Sequence, residues 1–381
     1  MDFSWSADQL ALRRAVVDFA REELRDDLVA RDADCVFSRE HWRRCAEFGL
    51  QGLAFPEALG GGGTDMLTAV LALEGLGYGC RDHGLLFGLA AQMLSVQMPL
   101  LRFGTPEQQR RYLPRLLSGE WIGAHGMSEP DSGSDAFGLR TTARREAGHY
   151  VLDGTKTFVS NGPVADLFLV FATVDRAQGV LGVTAFLVER GFPGFRVGKE
   201  IKKMGLRTSP MSELVFEECR VPVENRLGRE GRGAQIFNDS MEWERAGILA
   251  GAVGAMERQL EACVRYARER QQFGRPIGDF QAVAHRIADM KVRLEAARLL
   301  LYRAVWTKQA RGEAGPEAAA AKLFLSDAWV RSCLDAVQLH GGYGFTVEYE
   351  VERDLRDAVG STLYSGTSEI QRTLIARALG L

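Results

Sequence analysis

Leu167-Phe168-Leu169-Val170-Phe171 and Val183-Thr184-Ala185-Phe186-Leu187-Val188 decide the fold of this 381-residue chain. Both runs are short, rich in branched and aromatic residues, and set between the turn-forming Asn161-Gly162-Pro163 and Phe192-Pro193-Gly194, so they read as strands. With Leu214 to Phe216 and the Asp153-Gly154 turn they mark residues 121–232 as a β domain. On both sides the periodicity is helical. Ser6 with Gln9 has the form of a capping box, and Leu10, Val17 and Leu24 share a face with Val16, Phe19 and Ala20. Ser38 is placed to cap a second helix that stops near Gly49. Residues 1–120 therefore form an N-terminal α-helical domain and residues 233–381 a C-terminal helical bundle, giving an α+β chain. In that bundle a helical segment of roughly 40 residues, Gly233 to Arg270, would span about 60 Å, with Glu244 read near its start. Further helices are expected over Asp279–Arg311, Pro316–Leu339 and Thr367–Leu379.

Composition excludes several functions. With 46% hydrophobic and 25% charged residues and a net charge of -3, the chain carries no electrostatic footprint for nucleic acid or an anionic membrane. Gly84 to Leu101 has no charge, but Gln92, Ser95, Gln97 and Pro99 interrupt it, so it reads as a helix buried in protein and not in lipid. The six cysteines have no paired spacing, no H-E-x-x-H is present and the histidines are dispersed, so no metal site is expected. Gly75-Leu76-Gly77-Tyr78-Gly79 sits in a helical pattern with the wrong spacing for a nicotinamide fingerprint. The polar, amphipathic start lacks a secretory pattern, which points to the cytoplasm.

Five strings carry chemistry. His125-Gly126-Met127-Ser128-Glu129-Pro130-Asp131-Ser132-Gly133-Ser134-Asp135 offers backbone amides, hydroxyls and small residues to a flat ligand edge. Lys156-Thr157-Phe158-Val159-Ser160-Asn161-Gly162 sets an aromatic and a hydroxyl on one strand. The remaining three are Arg270-Gln271-Gln272-Phe273-Gly274, with Gln281 beyond it; Gln338-Leu339-His340-Gly341-Gly342-Tyr343-Gly344; and Leu363-Tyr364-Ser365-Gly366-Thr367-Ser368-Glu369-Ile370-Gln371-Arg372. Singly, the first is an ordinary turn and Phe158 an ordinary core residue.

In this order the strings resemble the acyl-CoA dehydrogenase family over essentially the whole chain. Gly104-Thr105-Pro106-Glu107-Gln108-Gln109 adds to the likeness. The resemblance implies a helical domain, a β-barrel-like domain and a four-helix bundle, a homotetramer, and FAD as cofactor. Carried over position by position, FAD contacts fall on His125, Met127, Ser128, Gly133 and Ser134, and on Phe158, Val159 and Ser160. They continue through Arg270, Phe273, Gln281, Gln338, Leu339, His340, Gly341 and Gly342 to Thr367, Ser368 and Glu369, with Arg270 reaching the diphosphate of a neighbouring subunit. Substrate contacts fall on Ser134, Glu242, Arg245 and Gly366.

Most of the family has a glutamate, the catalytic base, where this chain has Ser365. Some branches place the base at the position of Glu244, so the resemblance implies a relocated base. Ser365 then keeps only its backbone amide as a donor to the thioester carbonyl, and small Ser365 leaves room for Glu244. The bland reading of Glu244 is an acid in the first turn of a helix, favoured by the helix dipole. Within the family, the combination of Trp243-Glu244-Arg245-Ala246 with Tyr364-Ser365-Gly366-Thr367-Ser368 is most similar to the branch acting on thioesters tethered to carrier proteins, including prolyl-carrier-protein dehydrogenases. The implied partners are an acyl thioester of CoA or a phosphopantetheinyl carrier, and an electron-accepting flavoprotein. Two alternatives stay open: an oxidase or monooxygenase on the same scaffold, and a non-catalytic thioester-binding homologue.

Overall fold

The computed structural model describes residues 4–381. Helix α1 (Ala7–Glu23) starts at the expected capping box, Ser6 Oγ accepting from Gln9 N at 3.2 Å and Gln9 Oε1 accepting from Ser6 N at 3.0 Å. Two amides that a helix start leaves unpaired are thereby satisfied. Helix α2 (Leu28–Asp34) leads to α3 (Arg39–Glu47), which Ser38 caps. The apolar stretch forms α4 (Met66–Gly79), α5 (His83–Gln92), a π-helical turn (Met93–Gln97) and α6 (Met98–Phe103), followed by α7 (Pro106–Leu117). By length and composition His83–Phe103 would cross a membrane, yet 83% of its most apolar window is buried inside the protein, as the polar interruptions predict.

Strands β1 (Gly123–Gly126), β2 (Thr142–Glu146), β3 (His149–Ser160), β4 (Leu167–Thr173), β5 (Val183–Glu189), β6 (Phe195–Glu200), β7 (Met211–Pro222) and β8 (Arg226–Leu227) make one eight-stranded mixed sheet. Its order is β6-β7-β3-β2-β4-β5-β8, with β1 parallel to β4. β4 is buried along its whole length and β5 along nearly all of it, which is why both read as continuous apolar runs with no polar alternation.

The C-terminal region holds α8 (Gly233–Gly247), α9 (Ala250–Glu269), a hairpin of β9 (Gln271–Gln272) and β10 (Arg275–Pro276), α10 (Gln281–Arg311), α11 (Gly315–His340), α12 (Val351–Gly360) and α13 (Ser368–Ala378). Here the sequence reading needs correction. The single long helix expected from Gly233 to Arg270 is two helices, broken at Ile248 and Leu249. α8 packs on the π-helical turn and α11, whereas α9 packs on α4, and the break serves both contacts. The glycine run in α4 has its role in that packing: a Cβ at Gly77 would lie 1.9 Å from the Gly251 carbonyl oxygen, so the two helices meet backbone to backbone.

Candidate active site

The break in the bundle relocates Glu244. It occupies the last turn of α8, not a first turn, and Ile248 N donates to its carbonyl at 2.8 Å. A helix C-terminus disfavours a carboxylate, so the helix-start explanation for this acid fails. The side chain is buried, at 9% exposure, yet lies on the wall of a cavity of about 1280 Å³ formed between the β domain, α5 with the π-helical turn, α8 and the loop before α13. Ordinary small-molecule sites hold roughly 300–1,000 Å³, so this one has room for a large cofactor together with a substrate.

Two hydroxyls hold the Glu244 carboxylate. Ser95 donates to Oε2 and Ser365 to Oε1. The sequence reading gave Ser365 only its amide; the structure adds its side chain. Ser365 and Gly366 both have left-handed φ, 58° and 89°, and their carbonyls are turned into the protein. Arg245 Nε donates to the Ser365 oxygen at 3.0 Å, Lys322 Nζ to the Gly366 oxygen at 2.8 Å, and Gln371 Nε2 to both, at 3.1 and 2.8 Å. Among the described residues the Ser365 and Gly366 N–H groups have no hydrogen-bond partner. Neither Lys322 nor the loop-holding use of Gln371 was legible beforehand; a lone lysine on the apolar face of α11 is the signal that was available. Burial, with Arg245 adding to it, pushes the Lys322 ammonium down to about 8.

Across the cavity, the register between β3 and β7 shifts between Lys156 and Val159. This bulge sets Phe158 at φ 55° and leaves its ring 63% exposed, while neighbouring Val159 is buried in the sheet. Bulges re-aim side chains in this way. Asn161, also left-handed, donates to the carbonyls of Gly88 at 3.1 Å and Gly123 at 3.3 Å and so fixes the end of β3 against α5 and β1. Beneath the wall, Lys156 pairs with Glu129 at 2.7 Å, and Glu129 also accepts from Arg140 N at 2.5 Å and Thr141 N at 3.0 Å. That buried pair secures the loop carrying Met127, Ser128, Gly133 and Ser134. His125 stacks on Phe237 with ring centroids 5.9 Å apart, and burial, with Lys156 nearby, pushes its imidazole down to about 4, so the ring is neutral.

Apart from Val159 and Leu339, which are buried and off the cavity wall, the expected site residues fall into two groups. His125, Met127, Ser128, Gly133, Ser134, Phe158, Ser160, Glu242, Glu244, Arg245, Ser365, Gly366 and Thr367 line the cavity. Glu242 does so with its carboxylate bound to Lys308 at 2.8 Å and to Ala314 N at 3.1 Å. Ser368 and Glu369 follow in the first turn of α13. The second group lies elsewhere on the same chain. Arg270 rests over the Tyr343 ring at 5.6 Å, which joins the hairpin to the turn after α11, and Phe273 is 92% exposed. His340 is buried against Tyr266, while Gln281, Gln338, Gly341 and Gly342 are exposed. Within one subunit this group does not line the cavity.

Several features fit a flavin dinucleotide. The Nε2 atom of His125, which lines the cavity, is buried without a hydrogen-bond partner, and a Cβ at Gly133 would meet nothing within 4 Å. Unsatisfied buried polar atoms around an open cavity call for a polar ligand. An aromatic ring on β3 and a clamped carboxylate on α8, on the walls of one such cavity, suit a flat redox cofactor bound together with a substrate. Family profiles agree: residues 6–120 match the acyl-CoA dehydrogenase N-terminal domain, 124–219 the middle domain and 231–380 the C-terminal domain. The chain belongs to the acyl-CoA dehydrogenase family. It is 44% identical to an L-prolyl-[peptidyl-carrier protein] dehydrogenase of Pseudomonas fluorescens, over 100% of both chains. The prolyl acyl carrier protein oxidase AnaB superposes with a TM-score of 0.98 at 49% identity, covering 99% of this chain and 100% of that one. PigA, solved with FAD and proline, gives 0.97 at 41% identity over 100% of both chains.

Proposed function

We propose that this chain is an FAD-dependent dehydrogenase of acyl thioesters whose catalytic base is Glu244, and that its substrate is an aminoacyl thioester, prolyl above all, carried on a phosphopantetheinyl carrier protein. The observation that carries the assignment of the base is the clamped, cavity-facing Glu244 carboxylate beside a loop whose amides are free. FAD supplies the acceptor for the hydride leaving the β-carbon. Phe158 and Ser160 on β3, with His125, Ser128 and the Gly133-Ser134 turn, would hold it. Glu244 takes the α-proton. The Ser365 amide binds the thioester oxygen, which accumulates charge as that proton leaves, while Arg245, Lys322 and Gln371 keep the loop in place by its carbonyls. The carrier-tethered prolyl group is supported by the full-length similarity to the two prolyl-carrier enzymes and to PigA.

A homotetramer belongs to the same proposal. Phe273 on the hairpin and Tyr343, Phe345 and Val347 after α11 are exposed, with Arg270 resting over the Tyr343 ring, and so many exposed apolar side chains support an interface. Arg270, Gln281 and Gln338 to Gly342 would then complete the FAD site of a neighbouring copy. Arg270→Ala should release FAD and weaken assembly, read by flavin absorbance after gel filtration and by light scattering.

The deciding experiment is anaerobic bleaching of the flavin. Prolyl-carrier thioester should reduce it within seconds, straight-chain acyl-CoA far more slowly, and NADH and NADPH not at turnover rates. Glu244→Gln should slow reduction by about 10³-fold or more while FAD and substrate still bind, since only the proton acceptor is lost. Reduction near the parent rate in Glu244→Gln rejects the base assignment. One second reading has a specific support, the neighbour described as an oxidase. Stoichiometric peroxide in air, without an added acceptor flavoprotein, would favour it.

A further inference from the structure

Ser95 is on the cavity wall for a reason the proposed chemistry has not used. Its hydroxyl is 1% exposed and donates to Glu244 Oε2 from an element 149 residues away in sequence. A buried helical hydroxyl normally bonds back to a carbonyl three or four residues earlier. This chain follows that habit elsewhere: Ser240 donates to Phe237 O at 2.9 Å, Ser326 to Leu323 O at 3.0 Å and Thr307 to Arg303 O at 2.8 Å. Ser95 forgoes the local acceptor. The turn that carries it, Met93–Gln97, is π-helical, a widened turn that shifts the phase of every following residue and that is frequent at functional sites. The partner helix is drawn close on purpose as well, because a Cβ at Gly247 would stand 3.1 Å from Leu94 Cδ1.

We infer that Ser95 is the positioning residue of the base: its hydroxyl, acting on Oε2 while Ser365 acts on Oε1, fixes the plane of the Glu244 carboxylate and aims one oxygen at the substrate α-carbon. This rests on Glu244 being the base. One donor alone would leave the carboxylate free to turn about its last bond; two donors on different oxygens remove that freedom. Ser95 exchanges no proton with substrate. The charged and titratable groups that face Glu244 are Arg245 beside it on α8, Lys322 on α11 and Tyr364 in the loop before α13, and none of them donates a hydrogen bond to the carboxylate.

Ser95→Ala tests this in the FAD-loaded protein. Flavin reduction by saturating substrate should slow by about tenfold to hundredfold across the pH plateau, the range set by losing a hydrogen bond to a charged group. Substrate KM, FAD content and thermal midpoint should stay close to the parent, and Ser95→Thr, which restores the hydroxyl, should recover most of the rate. A plateau at the parent rate overturns the inference. So does an equal loss in KM. Glu244→Gln run alongside separates the two failures: if it too reduces its flavin normally, the base assignment is wrong, and if it is inactive while Ser95→Ala is not, only the positioning role is wrong.

Discussion

Two lysines of this chain, Lys156 in the β domain and Lys322 in the bundle, are buried with no exposed surface, and burial pushes both ammonium groups down to about 8. Their partners differ. Lys156 faces a carboxylate, Glu129, at 2.7 Å, and although burial alone would push Glu129 up, the Lys156 charge and its hydrogen bonds hold it below the usual carboxylate range. Lys322 donates to the carbonyl of Gly366 and lies over the Tyr364 ring at 6.0 Å, with Arg245 as a like charge nearby. The first arrangement neutralises itself and locks the loop under the wall that bears Phe158. The second leaves a charge with no counter-ion within hydrogen-bond reach, beside the carboxylate proposed as base, and uses it to hold a loop. One region is built for rigidity; the other borders the proposed base.

The comparison breaks most readily at Lys156. Lys156→Met strands Glu129 as a lone buried carboxylate and should cost about 3–5 kcal/mol in urea unfolding. Lys156→Met with Glu129→Gln should cost much less than the single change; equal costs would mean that the pair is not acting as a unit.

Lys322→Met strands no charge, so its stability cost should be nearer 1 kcal/mol, while flavin reduction falls about tenfold as the Ser365–Gly366 loop loosens. A stability loss as large as that of Lys156→Met would erase the distinction drawn between the two sites.

A titration sharpens it further. Each lysine has a folded-state value depressed to about 8 against an ordinary 10.5. Between those values the unfolded chain binds more protons, so stability should rise with pH over that window and be flat with respect to these groups below it. Lys322→Met should remove part of the rise seen by chemical denaturation at stepped pH. An unchanged slope would mean that Lys322 is not depressed.

The smallest effect belongs to Ser365→Ala, which keeps the amide and removes one of two donors to Glu244. Flavin reduction should slow by about threefold to tenfold with folding unchanged, less than in Ser95→Ala because this bond is only part-buried and water can replace the lost donor. A larger loss than in Ser95→Ala would make Ser365 the dominant hold on the base.

Much of this could be read from the chain. β4 and β5 declare themselves because strands covered on both faces have no polar residues to obscure them, and the Ser6–Gln9 cap is a local device complete within four positions. Glu244 stands out in the sequence, but a helical period continues through Ile248 and Leu249, so nothing local marks the end of α8 and its last turn looks like a beginning. α12 (Val351–Gly360) escaped notice beside the more distinctive strings that flank it. Ser95 was read only as a polar blemish in an apolar run.

Periodicities and short strings carry the order of helix, sheet and bundle, the family, and the residue types at the proposed cofactor and base positions. Which groups meet was decided only by the tertiary structure. A π-helical turn rephases Ser95, a broken helix ends at Gly247, and two left-handed residues turn the loop carbonyls onto Arg245, Lys322 and Gln371. Each of these is a contact between segments far apart in the chain, and no local propensity encodes the direction in which a side chain points once its helix has been packed.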